Sequence, residues 1–413
     1  MRPKAGLGFQ GRSDVEQFDV VVIGAGLAGL QATRLLARRG VRVLLVDRKN
    51  SLEDAVHTTG IFVRRTLEDF DLPRDCLGPP VRRVKLYSPA RREQTLVSEH
   101  DEFRVGRMGR LYARLLEECL DARATWSPAT HYAGLEDACV SSVESGARGS
   151  IVLLERAGVV RRIATRFVLG GDGARSRVAR DLELDENREW IVGVEDVFRG
   201  VPPEGEPCFH CFLDPRLAPG YLAWVVCDGE ETHVGVGGYA ARFDPARALE
   251  SFRAEITRRL FDFTSARRVE RRGGRIPVGG VLKRIANERG LLLGDAAGAV
   301  SPLTAGGLDP CMRLSSLAAE VVAEYLETGD AAVLARYSGA RFRSRFASRL
   351  WMRRALSSIR SRSLLEAACA LSRCRPFDAL AQHVFFGRGS FPDVERVARA
   401  VPHTPTSAAR PSA

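Results

Sequence analysis

The chain has 413 residues, 45% of them hydrophobic and 27% charged, with a formal net charge of +11 at pH 7. That length buries a large core and divides naturally into two lobes. No apolar segment precedes Glu16 as a secretory leader would, no uncharged apolar run reaches the ~18 residues that span a bilayer, and the nine cysteines are scattered, so the reading is a cytoplasmic protein with reduced thiols.

The first element is a β-branched run, Val20 to Ile23, of the kind buried on both faces of a parallel sheet. It runs into Gly24-Ala25-Gly26-Leu27-Ala28-Gly29 and then a helix through Arg39. Glycine spaced in this way permits a tight turn, close approach of backbone to a pyrophosphate, and close packing of helix on strand. The helix N-terminus offers unpaired N–H groups to the anion. A second strand, Val41 to Val46, ends in Asp47 and Arg48, 23 and 24 residues after Gly24, where an acid accepts hydrogen bonds from a ribose.

Stretches 77–103 and 184–267 alternate in a strand-like way, as in Tyr221 to Val226 and His233 to Tyr239. Between them Phe167 to Gly170 runs into Gly171-Asp172-Gly173 and a basic helix. Cys208-Phe209-His210-Cys211 has the spacing of a redox or metal pair. A strand would send its two thiols to opposite faces, and no second such pair completes a zinc site, so metal is not expected.

The second glycine motif, Leu291-Leu292-Leu293-Gly294-Asp295-Ala296-Ala297-Gly298, lies almost 270 residues after the first. Pro302 to Leu308 follows, with Gly306 and Gly307, then a helix from Asp309 to Tyr325. A nicotinamide-dependent dehydrogenase needs no distant Gly-Asp. A long flavin dinucleotide does: Asp295 would hold the ribityl chain, and the glycine loop and helix N-terminus would meet the ring edge that gathers negative charge on reduction. The two motifs together point to FAD.

These motifs resemble the para-hydroxybenzoate hydroxylase-type superfamily of flavoproteins, over about residues 17–350. Gly294 to Leu308, Pro219 to Val225 and Gly274 to Gly280 are similar to its geranylgeranyl reductase branch. The resemblance implies an α/β fold: a Rossmann-like FAD-binding domain of the GR2 type, an inserted antiparallel β-sheet substrate domain, and a helical C-terminal region. The FAD domain would comprise 17–76, 104–183 and 268–330, the substrate domain 77–103 and 184–267, and the helical region 331–400, with 1–16 and 402–413 as flexible termini. It further implies that Thr59, Gly60, Arg107, Asp172 and Gly173 lie at the cofactor, and that NAD(P)H or another reductant supplies electrons. The expected reaction is transfer of hydride to a double bond of an apolar, isoprenoid or lipid-like substrate. The alternative is a monooxygenase or halogenase acting through a C4a-hydroperoxide. Against it, Gly298 stands where aromatic hydroxylases carry His, and Tyr221-Leu222-Ala223-Trp224 is not a halogenase Trp-x-Trp-x-Ile motif.

One departure from the reductases matters. Their cysteine-containing loop beside the flavin corresponds here to Val56-His57-Thr58-Thr59-Gly60-Ile61, which has no cysteine. His57 is the candidate proton donor in its place.

Between Arg341 and Arg375 stand ten arginines and one acid, Glu366, with Phe342, Phe346 and Leu350 at helical spacing. A basic amphipathic helix of this kind either packs on the FAD lobe or lies on an anionic membrane, at its inner face, as a peripheral contact. No nucleic-acid recognition motif accompanies the charge. The sequence carries no signal for oligomeric state.

Overall fold

The computed structural model describes residues 15–54, 56–137, 149–202, 205–373 and 375–387. Of the tails expected to be flexible, 1–14 and 402–413 lie outside the described residues, as does 388–400 of the expected helical region.

Strand Gln17–Ile23 lies in the middle of an eight-stranded sheet, paired in parallel with Val43–Val46 on one side and Val159–Gly170 on the other. Thr125–Ser127 and Gly290–Leu292 extend the parallel set outward. Val20 to Ile23 are buried on both faces, which is why their sequence is uniformly apolar rather than alternating. Helix Leu27–Ala37 covers the sheet, flanked by Met108–Asp121 and Leu308–Thr328.

Two close approaches fix this lobe. Gly24 has φ +102°, and a Cβ there would lie 2.2 Å from the Gly171 carbonyl oxygen. A Cβ on Gly29 would lie 1.9 Å from the Gly24 carbonyl oxygen, so the helix seats on the strand only with glycine.

The second sheet has seven strands, ordered Arg267–Pro277, Trp190–Arg199, Glu231–Gly238, Ala223–Cys227, Cys208–Phe212, Arg83–Tyr87 and Glu93–Val97. It is antiparallel except where Cys208–Phe212 meets Arg83–Tyr87 in parallel, because these strands come from two separate excursions of the chain rather than one hairpin. Helix Pro245–Arg259 packs Leu249, Phe252 and Ile256 on one face of it. The expected boundary at 268 moves: Arg267–Pro277 pairs along its whole length with Trp190–Arg199 and belongs to the inserted sheet. A small sheet of Ile61–Val63, Phe103–Gly106 and Leu77–Val81 stands beside them.

The basic C-terminal segment is not one helix. It is divided into Gly339–Ser344, Ala347–Ser358 and Arg362–Leu371, followed by Arg375–Phe386. Ser361 restarts the chain by accepting a hydrogen bond from Leu364 N–H. Phe342 and Phe346 are fully buried in the core of the parallel-sheet lobe, so this end of the segment is anchored in protein.

Candidate functional site

A cavity of about 1050 Å³ runs between the parallel sheet and the inserted sheet. Gly24, Gly26, Leu27 and Ala28 line it from the first glycine turn, and Asp47, Arg48 and Lys49 from the end of the second strand. Helix Leu27–Ala37 has no side-chain cap and no acid in its first turn, so its N–H groups and positive dipole end face the cavity. A Cβ on Gly26 would meet nothing within 4 Å, which leaves a hollow at the helix start where a diphosphate fits. Arg175 and Arg177 line the same region. Asp47 is held in place by two backbone donors: Ala25 N–H to Oδ2 at 2.7 Å and Lys49 N–H to Oδ1 at 2.8 Å. A carboxylate has about four lone-pair sites, so two remain for ribose hydroxyls.

At the other glycine motif, Asp295 lies beside Gly307. Among the described residues its carboxylate has no hydrogen-bond partner, and burial pushes its pKa up to about 6. A lone carboxylate aimed into a cavity is a receptor for hydroxyl donors, which a ribityl chain supplies. Thr304 to Cys311 line the cavity next to it, and helix Leu308–Thr328 starts from Gly307 without a side-chain cap. The residues present therefore fit FAD along its length: a hollow for the diphosphate, Asp47 for ribose, Asp295 for ribityl, and an uncapped helix start for the ring.

The expected cofactor residues do not all gather. Gly24, Gly26, Leu27, Ala28, Asp47, Arg48, Thr59, Gly60, Asp172, Gly173, Gly294, Asp295, Gly306, Gly307 and Leu308 line the cavity. Ala25 and Gly29 lie behind it, one donating to Asp47 and the other packing helix on strand. Asp172 is turned toward protein: it accepts from Ser176 Oγ, Arg177 N–H and Val178 N–H, capping a short helix. Arg107 is not among the residues that line the cavity: its guanidinium donates to the carbonyls of Asp75 and Asp228 and pairs with Glu230, tying two loops together.

His57 lines the cavity but is exposed. Partial burial and the nearby cations Lys49 and Arg48 hold its pKa below the usual value, which leaves it neutral at pH 7. Cys208 and Cys211 are free, and burial raises both thiols. They form no redox pair.

The sequence reading missed a buried polar array on the inserted sheet. Glu195 is only 4% exposed, yet it lines the cavity. Its Oε2 accepts from Thr59 Oγ1 at 2.5 Å and from Trp224 Nε1 at 2.9 Å. Its Oε1 lies 3.1 Å from His233 Nδ1, and His233 Nε2 faces Asp228 Oδ2 at 3.6 Å. Burial alone would push the Glu195 carboxyl up, but His233, Thr59 and Arg272 hold it below its ordinary value. Burial alone would push His233 down, but the two carboxylates outweigh it and hold the imidazole at about 9. A Cβ on Gly235 would lie 2.1 Å from the Trp224 ring, so glycine there makes room for the indole that reaches Glu195. Asp228, Glu231 and His233 place donor atoms within 4.8 Å of one another. They are already engaged: Asp228 accepts from Glu230 and Glu231 N–H, and Glu231 from Arg199. The one available signal was Glu195-Asp196, a pair of acids inside an otherwise apolar strand.

Away from Asp47 the cavity turns apolar. Phe209, Leu222 and Trp224 contribute from the sheet, and Leu356, Ile359, Leu365, Phe385 and Phe386 from the C-terminal helices. Tyr221 donates to the Thr304 carbonyl at 2.7 Å, joining the sheet to the glycine loop.

A profile of the FAD binding domain matches residues 17–353. Digeranylgeranylglycerophospholipid reductase 1 of Methanopyrus kandleri is 30% identical over 336 residues, covering 78% of this chain and 85% of the relative. The digeranylgeranylglycerophospholipid reductase of Methanothrix thermoacetophila is 27% identical over 320 residues, covering 76% and 80%. Among solved structures, a geranylgeranyl bacteriochlorophyll reductase-like protein of Thermoplasma acidophilum superposes with a TM-score of 0.74 at 20% identity, over 86% of this chain and 90% of that one. The myxobacterial chondrochloren halogenase CndH superposes at 0.63 with 17% identity, over 93% and 96%. Both structural likenesses are of fold. By the profile and the reductase relatives, the chain belongs to the FAD-binding-domain family of flavoproteins, in its geranylgeranyl reductase-like branch, and is an FAD-dependent oxidoreductase.

Proposed function

We propose that the protein reduces carbon–carbon double bonds in the isoprenoid chain of a lipid. One observation carries this reading: a single cavity passes from a polar glycine-lined dinucleotide end to an apolar end walled by Phe209, Leu222, Leu356, Ile359 and Phe385. A prenyl chain fits the second end, and the relatives named for digeranylgeranylglycerophospholipid act on such chains by their names. FAD, when bound, supplies two electrons and one hydrogen per double bond. The protein's part is to hold the chain against the ring site, exclude water there with Trp224 and Leu222, and provide the second hydrogen as a proton. NAD(P)H as the donor that recharges the cofactor is part of the proposal. So are the cofactor contacts of Asp47, Asp295, Thr59, Gly60 and the helix starts at Leu27 and Leu308.

The C-terminal helices that contribute to this apolar end also expose apolar side chains: Trp351 is 69% and Leu364 58% exposed, with Leu356, Leu371 and Leu380 about half exposed. Arginines are interspersed with these residues along the chain, and the Arg354 guanidinium lies over the Trp351 ring at 5.6 Å. No described helix is long and apolar enough to cross a membrane. Exposed apolar side chains interspersed with arginine suit an anionic bilayer surface, from which a prenyl lipid would enter the cavity. Peripheral contact with membrane through this face is therefore included in the reading.

The test is product mass. Reconstituted holoprotein, reduced anaerobically and given a digeranylgeranylglycerophospholipid in detergent micelles, should add two hydrogens per turnover. A lipid recovered unchanged, or bearing oxygen or halogen, would overturn the reading.

A further inference from the structure

The reaction above needs a proton at the ring end of the cavity, and the loop 56–61 has no thiol to give it. His57, the one imidazole on that loop, is exposed, and partial burial with the nearby Lys49 and Arg48 holds its pKa below the usual value. Strand Ile61–Val63, which that loop enters, packs against helix Leu308–Thr328, and Thr66 donates to Asp309 in the first turn of the helix at 2.8 Å. Thr59, two residues before that strand, lines the same cavity as the helix start at Leu308, with its hydroxyl on Glu195.

From Glu195 the polar groups continue across the sheet. His233 lies diagonally across from Glu195 on the neighbouring strand: Glu195 pairs with Gly235, and His233 is two residues away. Beyond it Asp228 sits in the turn after strand Ala223–Cys227, where Gly229 and Glu230 are exposed. On this face of the sheet Trp224, Val226 and Val105 form a buried apolar cluster, with Val226 directly across from His233. The line runs from the cavity through Thr59, Glu195 and His233, hydrogen-bonded in turn, to the buried Asp228, 3.6 Å from His233 Nε2 and next in the chain to the exposed Gly229.

We infer that Thr59, Glu195, His233 and Asp228 form the proton-delivery line of this enzyme, which supplies the second hydrogen to the reduced double bond. The inference rests on the reductase reading. An N–H bond of the His233 imidazolium breaks as an O–H bond forms on Glu195. The O–H bond then breaks, directly or by exchange through the Thr59 hydroxyl, as the second C–H bond forms on the substrate. Reduced FAD is the reductant and supplies both electrons and the first hydrogen, so atoms and charge balance once His233 takes a proton from solvent past Asp228. Thr59 and Glu195 meet the cavity and are the donors. His233 and Asp228 act through them.

The electrostatics suit the role. His233 is held at about 9 and so carries its proton at neutral pH, between two carboxylates. The charged groups facing the array are Arg272, which lies 3.6 Å from Glu195 and is itself paired with Glu270, Arg107, which binds the Asp228 carbonyl, and Glu231, which lies beside Asp228 and His233 and is paired with Arg199. Trp224 fixes Glu195 without offering a titrating proton.

The test combines nitrogen-15 NMR of the histidines with single-turnover oxidation of the reduced holoprotein by a digeranylgeranylglycerophospholipid. In the wild type, His233 should titrate about two pH units above an ordinary histidine, and E195Q should bring it down. E195Q and T59V should each slow the single turnover, E195Q by about 100-fold and with visible-band FAD binding retained in E195Q. The solvent deuterium isotope effect should be present in the wild type and change in both variants. H233N should slow turnover most at neutral pH and recover partly as pH falls. A His233 that titrates at or below an ordinary value, or E195Q and T59V turning over within twofold of wild type with an unchanged isotope effect, would overturn the inference. A wild type that reduces no double bond would remove the reductase reading, and this inference with it, even if His233 titrates as expected.

Discussion

Tyr221 and Thr304 join the two lobes: the phenol of the inserted sheet donates to the carbonyl of the glycine loop at 2.7 Å. The loop is otherwise held by its own turn, with Ala305 at φ +52° and Ser301 N–H donating to Gly306. Y221F removes the one hydrogen bond and keeps the ring. The expected cost is about 1 kcal/mol of loop order, read as several-fold weaker FAD retention on dilution with little change in thermal stability. A variant that holds FAD as tightly as wild type would show the bond to be incidental.

Gly24 cannot be replaced. G24A puts a methyl 2.2 Å from the Gly171 carbonyl at a φ of +102° that alanine rarely adopts. Backbone strain and overpacking cost roughly 1–3 kcal/mol each. The variant should melt several degrees lower as apoprotein and fail to hold FAD. By contrast G26A adds a methyl where nothing lies within 4 Å. It should fold normally and lose FAD alone, and comparing melting curves of the two apoproteins separates the roles.

Asp295 carries an electrostatic cost in the apoprotein. Its folded pKa of about 6 stands above the usual carboxylate value. A raised carboxyl pKa means the folded state binds the proton more tightly, so the cost is present above about pH 6 and relieved as pH falls toward 4. Because the group faces the cavity, the penalty is on the order of 2 kcal/mol. D295N should make the apoprotein more stable at pH 8 and equal to wild type near pH 4, while weakening FAD binding. Denaturant midpoints at both pH values check the sign.

His233 titrates in the opposite sense. Its folded pKa of about 9 lies above its ordinary value. The stability it contributes is fully present below pH 6.5 and is lost as pH rises through 9. Wild-type stability should fall across that window by an amount on the order of 2–3 kcal/mol, and the fall should be nearly absent in H233N. That variant should also be less stable at neutral pH, since Glu195 and Asp228 then face each other without the cation between them.

Among the described residues, Trp351 and Leu364 are the most exposed large apolar residues of the C-terminal helices. Replacing both with serine should reduce cosedimentation with vesicles containing anionic lipid several-fold, leaving FAD content unchanged. Raising salt should weaken binding as well, because surface arginines are screened within about a Debye length of 8–10 Å. Vesicle binding equal to wild type would remove this face from the account.

The parts legible in sequence were those where a backbone geometry admits one residue type. Gly24, Gly29, Gly294 and the distant Asp295 advertise themselves because no other side chain fits the turn or faces the cavity that way. Arg107 shows what sequence leaves open, because an arginine can bond loop carbonyls as well as a ligand, and here it bonds those of Asp75 and Asp228. The strand Arg267–Pro277 was read into the wrong lobe because its alternation is the same whichever sheet receives it, and register is decided by its neighbour Trp190–Arg199. The Glu195 array was invisible because its members come from positions 59, 195, 228 and 233 and meet only once the inserted sheet has folded over the loop.

The most direct measurement is the fate of the reduced flavin in strict anaerobiosis when a digeranylgeranylglycerophospholipid is added. The account predicts that the oxidised visible spectrum returns without oxygen, in proportion to double bonds reduced. A flavin that stays reduced until oxygen is admitted, and only then yields a modified lipid, would contradict it and place the protein with the oxygen-using members of its fold.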